Sequence, residues 1–212
     1  MTVEIPMFPL GSVLFPHMPV QLRVFEERYL VMLAEILAEE PSQFGIVLIE
    51  RGPEVGGGEQ RFTVGTLATI LQLEGADGFV ALVAEGGDRF EITEWLDDAP
   101  YPRASVRDLP DLEWHDDLEA LRDRAEKLVR RTLAIASEFG DQQWSADVAI
   151  SDDPLESAWQ LAAIAPLAEI DQLTLLRSET LKQLLDTTIE LTEAAALSFE
   201  ALLESGPEDE EL

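Results

Sequence analysis

The sequence contains no cysteine, which excludes disulfide bonds, thiolate metal sites and cysteine nucleophiles. Basic residues are also scarce, because 14 lysines and arginines stand against 43 aspartates and glutamates, for a formal net charge of −29. A field of this sign repels phosphate backbones and anionic lipids, which disfavours nucleic-acid binding and membrane docking. It is typical of a highly soluble or salt-adapted protein, and the alternative is a surface that attracts basic or unfolded polypeptides.

Targeting and membrane-spanning segments are also missing. No apolar run approaches the roughly 20 residues that cross a bilayer. The first residues lack the basic and apolar regions of a signal peptide, and prolines at positions 6, 9, 16 and 19 interrupt them. We therefore expect a cytoplasmic protein that does not enter the membrane. Its 212 residues suit one large domain or two small ones.

Catalytic motifs are equally scarce. Neither Lys127 nor Lys182 lies in the GxxxxGK[ST] pattern of a phosphate-binding loop. Ser178 and Lys182 have helical spacing, but spacing alone supports the remaining enzymatic alternative, a serine–lysine hydrolase. His17 and His115 are far apart, and HExxH is absent. We predict a non-enzymatic protein without a catalytic residue, a bound metal or a cofactor.

The first half of the chain has the pattern of a small β-barrel or rolled sheet. Asp77-Gly78 predicts a hairpin turn, and Gly86-Gly87-Asp88 predicts a further turn. One helix, at 27–39, interrupts the strands with an apolar stripe. The predicted strands are 44–49, 64–73, 79–84, 89–93 and 101–106.

The second half has helical periodicity. A helix is predicted at 117–139, and a second begins at Asp153, where aspartate is followed by proline and glutamate in a capping pattern, and ends at Pro166. Asp171 is predicted to cap a third helix, and 178–203 a fourth. The predicted domains are therefore a β-rich domain at 1–110, a helical bundle at 111–204, and an acidic disordered tail at 205–212.

Several motifs in order carry a resemblance to a known family. The first three are Met7-Phe8-Pro9-Leu10, Leu14-Phe15-Pro16 and Val24-Phe25-Glu26-Glu27-Arg28-Tyr29, and segments 44–49, 64–70, 86–92 and 161–167 follow. Together they resemble the N-terminal domain of the Lon proteases, the substrate-binding module of an ATP-driven protease. The resemblance covers residues 5–110 and 150–200, and the segment between them is poorly matched.

The resemblance implies an α+β fold, with a PUA-like β-barrel or rolled sheet followed by a C-terminal helical bundle. It also implies a domain that contacts polypeptides rather than transforming them. Since no ATPase or protease motif accompanies the resemblance, we expect a free-standing recognition domain. The sequence departs from the family pattern at Glu27, where proline is usual, and at His17, where glycine is usual.

The leading functional hypothesis is therefore a polypeptide-recognition protein, more specifically an adaptor in protein quality control. Its predicted partners are unfolded or client polypeptides, a protease or a chaperone. The alternative is a PUA-like module that binds a small molecule or RNA. The sequence does not predict the oligomeric state.

The candidate partner-binding residues are apolar and lie in three segments. Phe25 and Tyr29, four residues apart, are expected on one buried face at a helix start rather than in the site. Methionine adapts to varied partners, which favours an exposed loop at residues 15–18. The candidates are Phe15, Pro16, His17 and Met18 in that loop, Val55 in a glycine-rich loop, and Trp144.

Overall fold

The computed structural model describes residues 2–38, 40–52, 54–55, 60–140 and 142–205. The chain divides into two compact units, Met1–Asp111 and Leu112–Leu212. The predicted domain limits stay predictions, and the acidic tail from Gly206 onward lies outside the described residues.

The first unit is a rolled mixed sheet with one helix, which together with the helices of the second unit confirms the predicted α+β class. Within the described residues its elements are β1 (Val3–Leu10), β2 (Pro19–Val24), α1 (Glu27–Ile36), β3 (Gln43–Arg51), β4 (Gln60–Ala76), β5 (Phe79–Trp95) and β6 (Arg103–Asp108). The strand order is β2-β5-β4-β3-β1-β6, and a further β5–β6 pairing closes a ring. Neighbours are antiparallel except β1 and β3, which are parallel.

The ring closes unevenly because the two halves of β5 pair with different strands. Its first half pairs with β2, from Val24↔Val80 to Pro19↔Glu85. Its second half pairs with β6, from Phe90↔Asp108 to Trp95↔Ala104. Strand β2 therefore lies outside the ring, and among the described strands it has a neighbour on one side only.

The turn predicted at Gly86-Gly87-Asp88 is wrong, because β5 runs through these residues without a break. Gly86 is instead the partner of a β-bulge. The His17 N–H donates to Gly86 O at 2.8 Å, and the Gly86 N–H donates to Met18 O at 2.9 Å. A side chain at Gly86 would place its Cβ 2.1 Å from Phe15 O, so the glycine permits a close backbone approach rather than a turn.

His17 occupies the bulge position that normally belongs to glycine, with φ of 60°. We expect His17→Gly to be more stable than His17→Ala by about 1 kcal/mol, because the left-handed region costs a residue with a Cβ about 1–2 kcal/mol. Urea denaturation followed by circular dichroism measures the difference. At Val20, inside β2, the order of the glycine and alanine variants should be reversed. An alanine variant as stable as glycine at position 17 would contradict the expectation.

The core of the first unit is built around Phe90, which is fully buried. Its ring fills space that two glycines leave open, since a Cβ at Gly45 or Gly65 would lie 2.8 or 2.7 Å from Phe90 Cζ. The surrounding buried residues are Met7, Val47, Ile92, Ala104 and Val106.

The second unit is helical, as its periodicity predicts. After a 3-10 turn at Asp116–Leu118, the described helices are α2 (Glu119–Ala136), α3 (Pro154–Ile164), α4 (Glu169–Leu176) and α5 (Leu181–Ser205). The capping prediction at Asp153 is confirmed, because its side chain accepts from the backbone N–H groups of Leu155 and Glu156 at 2.9 and 3.0 Å. The prediction at Asp171 is wrong: α4 begins earlier, and Asp171 lies in its first turn.

No helix among the described residues is both long and apolar enough to span a bilayer.

Candidate functional site

A groove of about 160 Å³ opens on the surface of the first unit. The end of β1 and residues 21–24 of β2 form its two sides, and the start of α1 closes one end. Its lining residues are Phe8, Pro9, Leu10, Gln21, Leu22, Arg23, Val24, Phe25, Glu26, Tyr29, Glu54 and Val55.

The groove has a rigid aromatic floor and an exposed apolar rim. The rings of Phe8 and Tyr29 stack with centroids 4.2 Å apart, and Tyr29 is buried. Phe25 and Val55 stand on the rim with 55% and 53% of their surfaces exposed. The expectation that Phe25 shares a buried face with Tyr29 is therefore wrong. Phe25 precedes the Glu26 N-cap and so lies outside the helical turn that buries Tyr29.

Glu54 holds the segment that carries Val55. Its carboxylate accepts a hydrogen bond from the Gly11 N–H, just beyond the end of β1. This bond connects the segment to the end of the first strand. Val55, the residue after Glu54, therefore lies at the rim because of a hydrogen bond between two residues that are 43 positions apart in the sequence.

The charged groups at the groove are already engaged at its edges. The Arg28 Nε–H donates to Glu26 Oε2 at 3.2 Å, and the Arg28 guanidinium lies 4.5 Å from the centroid of the Tyr29 ring. The Arg23 guanidinium lies 5.4 Å from the centroid of Phe79. The two arginines and the two acids, Glu26 and Glu54, balance locally, so the negative field at the groove is that of the whole protein, whose net charge is −29.

The far end of α1 is fixed to the barrel by Tyr101. The Tyr101 hydroxyl donates to the Glu35 carboxylate. Burial, and then the hydrogen bond and the charge of Glu35, raise the pKa of Tyr101 to about 12. The phenol therefore stays protonated and donates its hydrogen bond to Glu35 at every physiological pH. This bond holds α1, and with it the rim residues at the start of the helix, in place on the sheet.

The size and chemistry of the groove favour a side chain of a polypeptide over a small molecule. Sites for small molecules commonly enclose about 300–1,000 Å³, and this groove is smaller, at about 160 Å³. Two larger depressions in the second unit, of about 550 and 620 Å³, lie over charged residues of α2. In the described parts of the chain, no three histidine, aspartate or glutamate residues are grouped to hold a metal.

The predicted site residues lie in three different environments. The exposed loop predicted at residues 15–18 is wrong, because Phe15 and Met18 are 1% and 7% exposed and Pro16 is buried. The Thr66 hydroxyl donates to Leu14 O at 2.6 Å and, with the bulge at Gly86, fastens this segment to the sheet. His17 is half-buried in the bulge.

Of the other predicted residues, Val55 lines the groove and Trp144 belongs to the second unit. Trp144 is half-buried in the connection between α2 and α3. The binding roles predicted for these residues stay predictions. Sequence reasoning missed Phe25 and the whole of β2, although Val20, Leu22 and Val24 alternate with exposed residues in the period-two pattern of a strand.

Comparison with known proteins gives a consistent family assignment. The family model of the ATP-dependent protease La (LON) substrate-binding domain matches residues 4–194. The chain is 29% identical to the Lon protease of Syntrophus aciditrophicus over 84% of its own length and 23% of that protein. It is 27% identical to the Lon protease of Escherichia coli K12 over 91% of its own length and 25% of that protein. The chain thus spans about a quarter of these relatives.

Solved structures agree on the fold. A Lon N-terminal domain protein from Xanthomonas campestris is similar with a TM-score of 0.60 and 26% identity, covering 86% of this chain and 95% of that one. The N-terminal domain of the Mycobacterium avium complex Lon protease has a TM-score of 0.63 over 90% of this chain and 98% of that one. Its 21% identity makes it similar in fold alone.

Proposed function

Because the chain belongs to the LON substrate-binding domain family, we propose that it recognises client polypeptides through the groove between β1 and β2, without transforming them. The observation that carries this proposal is the exposed apolar rim at Phe25 and Val55 above a rigid floor. Large apolar side chains that remain exposed beside a preformed groove are typical of surfaces that bind other proteins.

The more specific role is that of an adaptor that delivers these polypeptides to a protease or chaperone. The relatives that carry the Lon protease name are about four times longer than the matched region. Their activity as whole proteins therefore supports the partner class, a proteolytic system, and not a reaction performed by this chain. The proposed clients are unfolded segments, because a narrow groove accepts an extended chain more readily than a folded surface.

We expect Phe25→Ser combined with Val55→Ser to weaken binding of an unfolded polypeptide about tenfold or more, since exposed anchors at a contact commonly contribute 1–2 kcal/mol each. The probe is a reduced and alkylated basic model protein, which cannot refold, and fluorescence anisotropy measures its affinity. The folded form of the same protein should bind weakly to every variant.

The matched control replaces two equally exposed apolar residues in the second unit, Leu197→Ser with Leu202→Ser, which are 67% and 56% exposed. This control should retain wild-type affinity for the unfolded probe. Equal losses in both double variants would show that general surface hydrophobicity binds the probe, and no loss in either would remove the groove from the proposal.

A further inference from the structure

The outer edge of β2 carries backbone groups that point away from the sheet. The Gly86 N–H bonds Met18 O, and β2 continues in the same antiparallel register to Val24↔Val80. Hydrogen-bonded pairs alternate along such a ladder. Even-numbered residues of β2 therefore direct their N–H and C=O groups towards β5, whereas Gln21 and Arg23 direct theirs to the other side, where no described strand lies.

The opposite side of the groove is closed to the same kind of pairing. The Met7 N–H donates to Pro102 O at 2.8 Å, on the side of β1 away from β3. The next residues with this orientation are Pro9, which has no N–H, and Gly11, whose N–H is bonded by Glu54. The groove therefore has one closed wall and one open strand edge, which is the arrangement that accepts a single added strand.

Charge determines which extended segments fit. The protein carries a net charge of −29, and Glu26 and Glu54 lie beside the groove. The two arginines beside them are engaged, since the Arg23 guanidinium lies over the Phe79 ring and Arg28 pairs with Glu26, so the field that remains is that of the whole protein. A segment that alternates apolar side chains with lysine or arginine complements both the apolar rim and this negative field.

We infer that β2 binds an extended, basic and apolar segment of a client polypeptide as an additional β-strand, an inference that rests on the proposed function and specifies its binding mode. The backbone of the segment pairs with Gln21 and Arg23. One of its apolar side chains enters the groove beside Phe25, and its basic side chains lie near Glu26 and Glu54.

The first test scans a fluorescent ten-residue peptide that alternates leucine or valine with lysine, using the wild-type protein. N-methylation removes one backbone donor at a time. A strand presents alternate N–H groups to its neighbour, so methylation at the alternate positions that pair with Gln21 and Arg23 should weaken binding about 3- to 10-fold, and at the positions between them less than about twofold. Equal losses at all positions would overturn strand addition.

The second test changes the protein. Gln21→Pro removes the outward N–H without touching the β5 ladder, and Pro19, which has the same orientation, shows that proline is accepted in this edge strand. We expect Gln21→Pro to weaken the peptide about tenfold and Gln21→Ala to stay within about twofold of wild type. Equal losses would indicate side-chain recognition and overturn the inference. If circular dichroism shows that Gln21→Pro is unfolded, the methylation scan decides alone.

Two further peptides complete the test. A peptide with glutamate in place of every lysine should bind at least about tenfold more weakly at low salt, and equal binding would overturn the charge preference. Failure of the wild-type protein to bind the unfolded model protein would contradict the proposed function itself. Binding of that protein with no periodic effect of methylation would contradict strand addition alone.

Discussion

Replacing Phe90 with alanine is expected to lower the free energy of unfolding by about 3–5 kcal/mol. Phe90 is fully buried, and it lies on the half of β5 that pairs with β6 to close the ring. Its ring fills the volume above Gly45 and Gly65. Neither glycine has a side chain that could move into the cavity, which limits how far the site can collapse and favours a loss in the upper part of the range.

Urea denaturation followed by far-ultraviolet circular dichroism, and by the fluorescence of Trp95 in a background where Trp114, Trp144 and Trp159 are replaced by phenylalanine, measures this loss. Trp95 packs against the same cluster, so its emission reports on the first unit. The matched control is Phe25→Ala, because Phe25 is the same residue type in the same unit but 55% exposed. Its effect should stay within about 0.5 kcal/mol. Similar losses for the two variants would contradict the placement of Phe90 at the centre of the core.

Gly65→Ala is expected to be the second severe change, with a loss of at least about 3 kcal/mol. The added Cβ would lie 2.2 Å from Ile46 O, a backbone atom of the neighbouring strand, and 2.7 Å from Phe90 Cζ. Strand β3 would have to move away from β4 to relieve the first contact. Gly45→Ala is a milder variant, since the atoms its Cβ meets all belong to side chains, those of Met7, Phe90 and Ile5.

Replacing Phe90 with the smaller leucine distinguishes the contact with side chains at Gly45 from the contact with a backbone carbonyl at Gly65. In the Phe90→Leu background, Gly45→Ala should be less destabilising than in the wild type, with a coupling free energy of about 1–2 kcal/mol. The stability lost in Gly65→Ala should be restored much less by Phe90→Leu, because the contact with the Ile46 carbonyl remains. A double-mutant cycle on denaturation free energies measures both couplings. Equal recovery at both glycines would show that the backbone contact is not the cause of the loss at Gly65.

Elements specified by local patterns were predicted well from the sequence. The helices of the second unit follow from their apolar periodicity, and the cap at Asp153 follows from the residues next to it. The hairpin between β4 and β5 has its turn at Gly78, with φ of 88°, where the Asp-Gly pair indicated it. Each of these features depends on residues within a few positions of one another.

Features set by distant partners were not predicted. The glycines at 86 and 87 are turn formers in sequence, but the approach of Phe15 O makes Gly86 part of a continuous strand. The same approach buries the segment at residues 15–18 that was expected to be exposed. Within the candidate site, Val55 was predicted because its glycine-rich surroundings indicate a surface loop. Phe25 was assigned to the core because its exposure depends on where α1 begins.

The division of β5 between β2 and β6 separates two opening motions. Strand β2 can detach from β5 while the ring of the other five strands stays hydrogen-bonded, because β6 pairs with a different stretch of β5. Local unfolding of this kind would uncover the inward-facing Val20, Leu22 and Val24 without global unfolding. Separation of β2 from β5 would therefore widen the groove while the ring of the other five strands keeps its pairing.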